Sequence, residues 1–423
     1  MKGKKRFIIT LLVVLLVVSL TGCGGDKPQT DGKVNIVMWH TLADQHEEAL
    51  LKIIDGFNAS QDKYVMVAEQ QPYSEIDAKL MQSTRNGTGP DISSLWPTDA
   101  AQYIKDGLLV DFSQFINDPT IGIENFKERL SLGLYEEITQ WGSEQVYLFP
   151  ISGTGEVLFY NKTLFDELGL EAPKTWSDVE AYSKTIYEKK GIPGFGTDSA
   201  VDTYLCLIRQ AGSSYIDGEK AVINMDRNIA INKLNWFADG VKDGYFRLVG
   251  EDMYFSNPFG SGAVASYIGS SAGVSYVFAA VGDAFEVGCV PIPQEGVEKY
   301  ISSWGSGYAG FSKDEEKAKG VFEYLKYSIQ QDVLLEWAEQ FGSVPYYLDL
   351  LETDRFQAFA QTNIAIKALA EEMAYGGYLP SVVGTAVVRI RMDEMIQNVA
   401  MGNATAEAAF DAFVEAANAE MSK

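Results

Sequence analysis

The sequence predicts an α/β fold of two lobes, and three observations support this. Apolar runs of strand type lie at 34–39 and 64–67, and between them apolar residues recur at i, i+3, i+4 and i+7 from Leu50. Strands that alternate with helices favour an open, mostly parallel sheet. The chain has 423 residues, which is more than one ordinary core holds. Finally, an extended glycine-containing segment joins two apolar stretches near residue 153, which suits a crossing between lobes.

The N-terminus has the pattern of an export signal. Basic residues precede an apolar run over 7–20, which is about the length of a signal-peptide core and short for a membrane-spanning helix. The following Leu20-Thr21-Gly22-Cys23 resembles the lipobox of bacterial lipoproteins. We therefore expect 1–22 to be a lipoprotein signal peptide, Cys23 to carry lipid, and 23–33 to be a flexible tether.

Net charge and cysteine usage narrow the range of partners. The formal charge of −24 argues against nucleic acid and anionic membrane surfaces, and weakly against anionic solutes. After Cys23 only Cys206 and Cys289 remain, each in an apolar context. Two separate buried thiols are expected, although a disulfide between them stays open.

The first half of the mature chain places polar and aromatic residues where strands end. A strand is expected to end at Trp39-His40, a second near Glu69, and a third at Leu95 before Trp96 to Asp99. In open α/β sheets, ligands bind beyond the carboxyl ends of the strands. The sequence therefore predicts a binding cleft at these three points.

The stretch from Tyr147 to Lys174 is the most specific part of the chain. A short strand at 147–150, a second strand at 157–160 and a helix capped by Asn161 are expected there. From Pro150 to Glu167 this stretch resembles the signature of the family 1 extracellular solute-binding proteins, the receptors of ABC importers. The resemblance extends over most of the chain and includes Trp304 to Tyr308, which looks like a second crossing between lobes.

The resemblance implies a periplasmic-binding-protein-like fold with hinge crossings. The expected domains are 34–150 plus about 308–345 for the N-terminal lobe, and about 157–303 plus 350–423 for the C-terminal lobe. It further implies a monomeric receptor, not an enzyme, at the extracytoplasmic face of the cell membrane, with a small solute and an ABC permease as partners. No cofactor is expected.

Two motifs resemble catalytic or nucleotide-binding sites, but the surrounding sequence lacks the other features that such sites require. Gly269 to Gly273 fits G-x-S-x-G, but the histidines of the chain, His40 and His46, both lie upstream of it. The pattern from Gly305 to Gly310 fits G-x-G-x-x-G, but no helix is expected to start inside it. No metal site is expected, because the two histidines have no third ligand nearby.

Sugars present hydroxyl groups and apolar C–H faces, which proteins meet with polar side chains and aromatic rings. Trp39 is expected either as a platform or in the core, whereas Asp99 and Asp202 are expected as ligands or as helix caps. The resemblance supports Trp96 to Asp99, Thr154, Asp202 and Ser271, which align with ligand-contacting positions of maltodextrin-type receptors. The full expected set is Trp39, His40, Glu69, Trp96, Thr98, Asp99, Thr154, Asp202, Ser271, Trp304 and Gly305.

The functional prediction is the substrate-binding component of an ABC importer for a mono- or oligosaccharide. A receptor for a polyamine or another cationic solute is the alternative within the same class. A surface lipoprotein that cleaves polysaccharide is the alternative from another class, because paired carboxylates for glycoside cleavage could come from many of the 58 acidic residues.

Overall fold

The computed structural model describes residues 32–142, 144–304, 307–373 and 376–423. The strands are β1 Val34–His40, β2 Tyr64–Gln70, β3 Ile92–Leu95, β4 Ser152–Asn161, β5 Phe195–Thr197, β6 Ile216–Asp217, β7 Val222–Ile223, β8 Phe246–Arg247, β9 Ser266–Ser270, β10 Val287–Val290, β11 Ile301–Trp304, β12 Gly307–Gly310, β13 Val344–Pro345 and β14 Gly376–Gly377. The helices are α1 Asp44–Ser60, α2 Ile76–Arg85, α3 Pro97–Lys105, α4 Ser113–Ile116, α5 Leu132–Ile138, α6 Lys162–Leu168, α7 Trp176–Lys190, α8 Ala200–Gln210, α9 Arg227–Lys242, α10 Ser256–Gly260, α11 Val274–Val281, α12 Glu315–Ser328, α13 Gln331–Phe341, α14 Leu348–Leu351, α15 Asp354–Thr362, α16 Ile364–Glu372, α17 Thr385–Ala400 and α18 Ala406–Met421.

The first sheet has the strand order β12-β3-β1-β2 and forms the centre of what we call the N-lobe. Strand β1 is parallel to β2 and to β3, whereas β12 runs antiparallel to β3. Ile36 and Met38 of β1 are fully buried, and α1 packs on the same sheet through Leu50, Ile54 and Phe57. The predicted helical face and parallel sheet are therefore confirmed.

The second sheet has the order β14-β11-β4-β9-β5-β8 and forms the centre of what we call the C-lobe. Strand β4 is its longest member and also pairs with β10 and β13. Val157, Leu158 and Phe159 of β4 are fully buried, which fits a central strand with apolar residues on both faces.

The two sheets meet at their carboxyl edges. Gly307, the first residue of β12, lies opposite Leu95, so the chain enters the N-lobe sheet at the carboxyl end of β3. Thr154 near the start of β4 lies opposite Trp304, and Glu156 lies opposite Ser270, the last residue of β9. The region between these edges is the cleft of the two-lobed fold.

Strand β4 differs from the sequence prediction in its extent. The predicted strand at 147–150 is reduced to a single bridge between Phe149 and Tyr308, whereas β4 begins at Ser152 and runs unbroken through both glycines. Strands β11 and β13 pair with this segment and supply the hydrogen bonds that hold it extended. A Cβ at Gly153 would collide with the hydroxyl of Tyr346, so close packing requires glycine there.

Helix caps were predicted with mixed success. Asn161 caps α6 by accepting a hydrogen bond from the backbone N–H of Leu164, as expected. The expectation that Asp202 caps α8 is wrong, because α8 begins at Ala200, four residues earlier than predicted. Ser199 is its cap and accepts a hydrogen bond from the N–H of Asp202 at 3.2 Å.

Cys206 and Cys289 are both free thiols, so the expected disulfide alternative is not formed. Within the described part of the chain, every helix is too short or too polar to cross a lipid bilayer.

Candidate functional site

Trp39 and Glu69 form a pair at the carboxyl edge of the N-lobe. The indole N–H of Trp39 donates to Oε2 of Glu69 at 2.9 Å, and the ring is only 7% exposed among Leu80, Leu95 and Tyr103. Of the two expected roles, the burial of Trp39 favours the core, whereas its contact with a ligand stays a prediction. Glu69 itself lies exposed at the rim.

His40 follows Trp39 and lies below the rim. Its side chain is 6% exposed, and Nδ1 has no hydrogen-bond partner among the described residues. Burial lowers the pKa of His40, and the charge of Glu47, which acts in the opposite direction, has the smaller effect. The imidazole is therefore neutral at pH 7. A neutral imidazole could hydrogen-bond a ligand hydroxyl only if the surrounding loop opened.

The segment from Trp96 to Asp99 is the accessible part of the N-lobe wall. Trp96 directly precedes α3, and 37% of it is exposed. Thr98 and Asp99 are half-buried in the first turn of the same helix. Burial, reinforced by the charge of Asp77, raises the pKa of Asp99 to about 6. A partly exposed aromatic ring and a half-buried carboxyl group thus stand three residues apart at the start of α3.

The C-lobe wall contains a buried ion pair between Asp202 and Arg389. Nη2 of Arg389 lies 3.0 Å from Oδ1 and 2.8 Å from Oδ2 of Asp202. The hydroxyls of Ser302 and Ser199 also donate to this carboxylate, whose side chain is fully buried. The acceptor positions of Asp202 are filled by protein groups, and its contact with a ligand stays a prediction. Asp202 instead fixes Arg389, which is 18% exposed.

Glu156 of β4 lies close to this pair and has an unusual environment. Its side chain is 4% exposed, and Oε2 has no hydrogen-bond partner among the described residues. Burial, then the charges of Asp202 and Asp198, raise the pKa of Glu156 well above its ordinary value. The shift favours the protonated carboxyl, which can both donate and accept a hydrogen bond.

A second buried glutamate, Glu137 on α5, lies where the N-lobe approaches β14 of the C-lobe. Burial raises its pKa to about 8, and its charge acts on the hydroxyls of Tyr346, Tyr300 and Tyr378. The hydroxyl of Tyr300 also has no partner among the described residues. A carboxyl group and phenol groups are thus buried near one another where α5 approaches β14.

The remaining expected residues lie on the crossing strands. Thr154 is half-buried, and Ser271 is fully buried with its Oγ accepting from the N–H of Gly155 at 3.4 Å. Trp304 ends β11, but its side chain, like Gly305 and Cys23, lies outside the described residues.

The chemistry of these groups fits binding better than catalysis. Among the described residues, no three His, Cys, Asp or Glu side chains come together in a way that could hold a metal ion. Ser271, the central serine of the G-x-S-x-G motif, is fully buried, and its Oγ accepts from the N–H of Gly155 rather than contacting a histidine of the described residues. The walls therefore offer hydrogen bonds and one exposed ring.

The profile of the bacterial extracellular solute-binding proteins matches residues 52–364, well over half of the chain. The chain belongs to this family. In this solute-binding protein, the matched residues include α3, β4 and the crossing strands, which border the cleft. The prediction made from the stretch at Pro150 is thereby confirmed.

Several individual proteins are similar over almost the whole length of this solute-binding protein. The sn-glycerol-3-phosphate-binding periplasmic protein of Yersinia pseudotuberculosis is 23% identical over 399 residues, which cover 89% of this chain and 90% of that protein. The protein of that name from Escherichia coli K12 is 21% identical over 417 residues, covering 90% and 91%.

Solved structures confirm the two-lobed fold. The cyclic α-maltosyl-1,6-maltose binding protein of Arthrobacter globiformis superposes with a TM-score of 0.80 at 21% identity, over 92% of this chain and 99% of that one. The GacH receptor of Streptomyces glaucescens, solved unliganded and with acarbose, gives a TM-score of 0.78 at 17% identity and the same coverage.

Sequence reasoning missed three residues of this solute-binding protein's cleft. Arg389, which lies outside the expected set, stands in an apolar helical stretch where a charge needs a partner. Glu156 precedes the apolar run that starts at Val157, and this was the signal available for it. Glu137 follows Glu136 directly, so its local sequence carries no such signal.

Proposed function

We propose that this protein is the receptor of an ABC importer, that it captures a neutral mono- or oligosaccharide between its lobes, and that it delivers the sugar to a permease. The observation that carries the proposal is a set of buried polar groups beside the cleft that carry little uncompensated charge. Glu137 and Glu156 are buried carboxyls with raised pKa values, and the charge of Arg389 is matched by Asp202. Neutral carboxyls can donate and accept, as sugar hydroxyls do.

Trp96 supplies the second element of sugar recognition. Its partly exposed ring stands beside Asp99, so an apolar sugar face and an adjacent hydroxyl could be met together. The names of solved relatives that bind maltosyl and maltodextrin ligands agree with this chemistry. Lobe closure would follow from ligand contacts to both walls.

A second candidate ligand is a glycerol phosphate, for which the sequence relatives are named. A phosphate would have to compete with Asp202 for Arg389, and it would approach buried carboxyl groups. Such an exchange has an electrostatic cost, because a displaced Asp202 would be left buried without its partner. The neutral sugar therefore fits the geometry better.

A thermal-shift screen of the full-length chain in detergent tests the proposal. The panel contains glucose, xylose, maltose and maltotriose, together with spermidine and sn-glycerol-3-phosphate. A ligand at a hundred times its Kd stabilises the native state by about 2.7 kcal/mol. We expect the shift with a neutral sugar, its loss in Trp96→Ala and its retention in Tyr187→Ala, an exposed aromatic at the end of α7. A shift with spermidine or the phosphate alone would refute the sugar assignment.

We also propose that Cys23 carries the lipid that holds the receptor at the outer face of the cell membrane. The support is the basic and apolar sequence before Leu20-Thr21-Gly22-Cys23. Labelled palmitate should enter the wild-type protein but not Cys23→Ser, and the variant should leave the membrane fraction. Equal labelling of both proteins would contradict the anchor.

A further inference from the structure

A pocket of about 340 Å³ lies in the N-lobe, at the end of the sheet opposite to the cleft. Tyr64, the first residue of β2, lines this pocket, whereas the carboxyl end of the same strand faces the cleft. Its other walls come from the end of α1 and from the second half of α12. We call it the α1–α12 pocket. Its volume falls within the roughly 300–1,000 Å³ that is typical of small-ligand sites.

Two polar groups of this pocket have hydrogen-bonding capacity left. Among the described residues, the carboxylate of Glu323 has no ion pair and accepts no hydrogen bond, and the hydroxyl of Tyr327 has no hydrogen-bond partner either. The ring of Tyr327 contacts that of Phe57, with the centroids 5.8 Å apart. A carboxylate beside aromatic rings can bind an ammonium group, through an ion pair and through the ring faces.

Two lysines line the same pocket and supply positive charge. Nζ of Lys63 lies 2.5 Å from Glu316, but both side chains are about half exposed, and an exposed ion pair is worth at most about 1 kcal/mol. Nζ of Lys326 donates to the carbonyl of Ile121 at 2.7 Å, which leaves two of its three protons to donate. Both ammonium groups can therefore also bind a phosphate.

The pocket lies where the chain leads towards the proposed lipid anchor. Nζ of Lys33 donates to the carbonyl of Gln61 at 3.2 Å, and the N–H of Val34 donates to the carbonyl of Lys63 at 2.9 Å. Gln61 and Lys63 both line the pocket. Ten residues separate Lys33 from Cys23, and a chain of that length spans at most about 36 Å. A lipid on Cys23 would therefore keep this end of the N-lobe close to the membrane surface.

The charge of the protein selects among phospholipid headgroups. The formal charge of −24 disfavours an anionic headgroup, whereas a zwitterionic headgroup is not repelled. Such a headgroup presents an ammonium for Glu323 and a phosphate for Lys63 and Lys326. A primary ammonium donates hydrogen bonds, which the free acceptors of Glu323 and Tyr327 can take up, and a quaternary ammonium donates none.

We propose that the α1–α12 pocket binds the phosphoethanolamine headgroup of a phospholipid. The inference goes beyond the sugar function, because this pocket is separate from the cleft. Bound headgroups would orient the N-lobe on the membrane surface, with the cleft at the far end of the sheet.

Hydrogen exchange of the full-length chain in non-ionic detergent, followed by mass spectrometry, tests this inference. The probes are phosphoethanolamine, inorganic phosphate and ethanolamine, each in the same large excess. With phosphoethanolamine alone, we expect at least threefold slower exchange in peptides from 57–64 and 323–330, and no change in peptides that border the cleft. Because the readout is local, it distinguishes this pocket from the sugar site.

Two variants on α12 form the matched pair for this measurement. Glu323→Gln removes the partner of the ammonium and should abolish the slowing. Glu315→Gln changes an exposed carboxylate at the start of the same helix and should keep it. Should Glu323→Gln not fold, Tyr327→Phe removes only a hydroxyl and should reduce the slowing to below twofold.

Vesicles then separate a membrane lipid from a soluble phosphate compound. The full-length chain is placed on phosphatidylethanolamine–phosphatidylglycerol vesicles and on phosphatidylcholine–phosphatidylglycerol vesicles of equal charge. The same two regions should exchange at least threefold more slowly on the first. Equal exchange on both vesicles, equal slowing by inorganic phosphate, or slowing that persists in Glu323→Gln would overturn the proposal, and each of these results leaves the sugar receptor intact.

Discussion

The two walls of the cleft satisfy their polar groups in opposite ways. On the C-lobe, Asp202 is fully buried and its carboxylate is filled by Arg389 and two serine hydroxyls. On the N-lobe, Asp99 is half-buried, and its carboxyl accepts no hydrogen bond from the described residues. The carboxylate of Asp202 is thus satisfied by the protein itself, whereas the carboxyl of Asp99 retains hydrogen-bonding capacity for a ligand.

The largest expected effect is the loss of stability when the ion pair of the C-lobe wall is broken. Asp202→Asn should destabilise the protein by about 3–5 kcal/mol, because Arg389 would remain buried without its counter-charge. Urea unfolding at pH 7 measures this free energy. The double variant Asp202→Leu with Arg389→Met should recover most of the loss, since no buried charge remains.

Asp99→Asn is the matched change on the N-lobe wall. It should alter the free energy of unfolding by less than about 1 kcal/mol, because replacing a half-buried carboxyl that has no hydrogen-bond partner removes no strong interaction. Equal losses in Asp99→Asn and Asp202→Asn would contradict the comparison of the two walls.

The next effect concerns the buried carboxyl of Glu137 and is visible in its pH dependence. The pKa of Glu137 is about 8 in the native state and near 4.5 when unfolded, so the native state binds the additional proton between those values. Stability therefore falls as pH rises from about 4.5 to 8, by about 1.4 kcal/mol per pH unit at most. Glu137→Gln should reduce the pH dependence by this contribution and be more stable than wild type at pH 7.5.

The neighbouring Glu136→Gln is the control for that measurement, because Glu136 is exposed on the same helix. Urea unfolding of the three proteins at pH 5, 6 and 7.5 gives the slopes. A wild-type slope that persists in Glu137→Gln would show that another group titrates.

The smallest expected effect is the difference in stability between variants of the two N-lobe tryptophans, Trp39 and Trp96. Trp39→Phe removes the hydrogen bond to Glu69 and should cost about 1–2 kcal/mol of stability. Trp96→Phe should change stability by less than about 0.5 kcal/mol, because the ring is partly exposed, but should weaken sugar binding severalfold. If Trp39→Phe weakened binding more than Trp96→Phe, the placement of Trp39 in the core would be contradicted.

Local sequence determined the elements and the family. Periodicity predicted α1 from the face at Leu50, and the carboxamide of Asn161 fixed the start of α6, because both depend on residues within a few positions of each other. The stretch from Pro150 was enough to indicate a two-lobed receptor. Alternating strands and helices likewise predicted the parallel N-lobe sheet, since hydrophobic period is a local property.

Only the tertiary structure determined which side chains are exposed in the cleft and which are buried beside it. Trp39 and Trp96 both follow strand-like segments, yet packing by Leu80 and Tyr103 buries the first and leaves the second partly exposed. Asp202 and Arg389 are separated by almost half the chain, so no local pattern could reveal that they form a pair. Which polar groups face a ligand depends on the long-range neighbours that fill or leave open their hydrogen bonds, and the sequence does not state those neighbours.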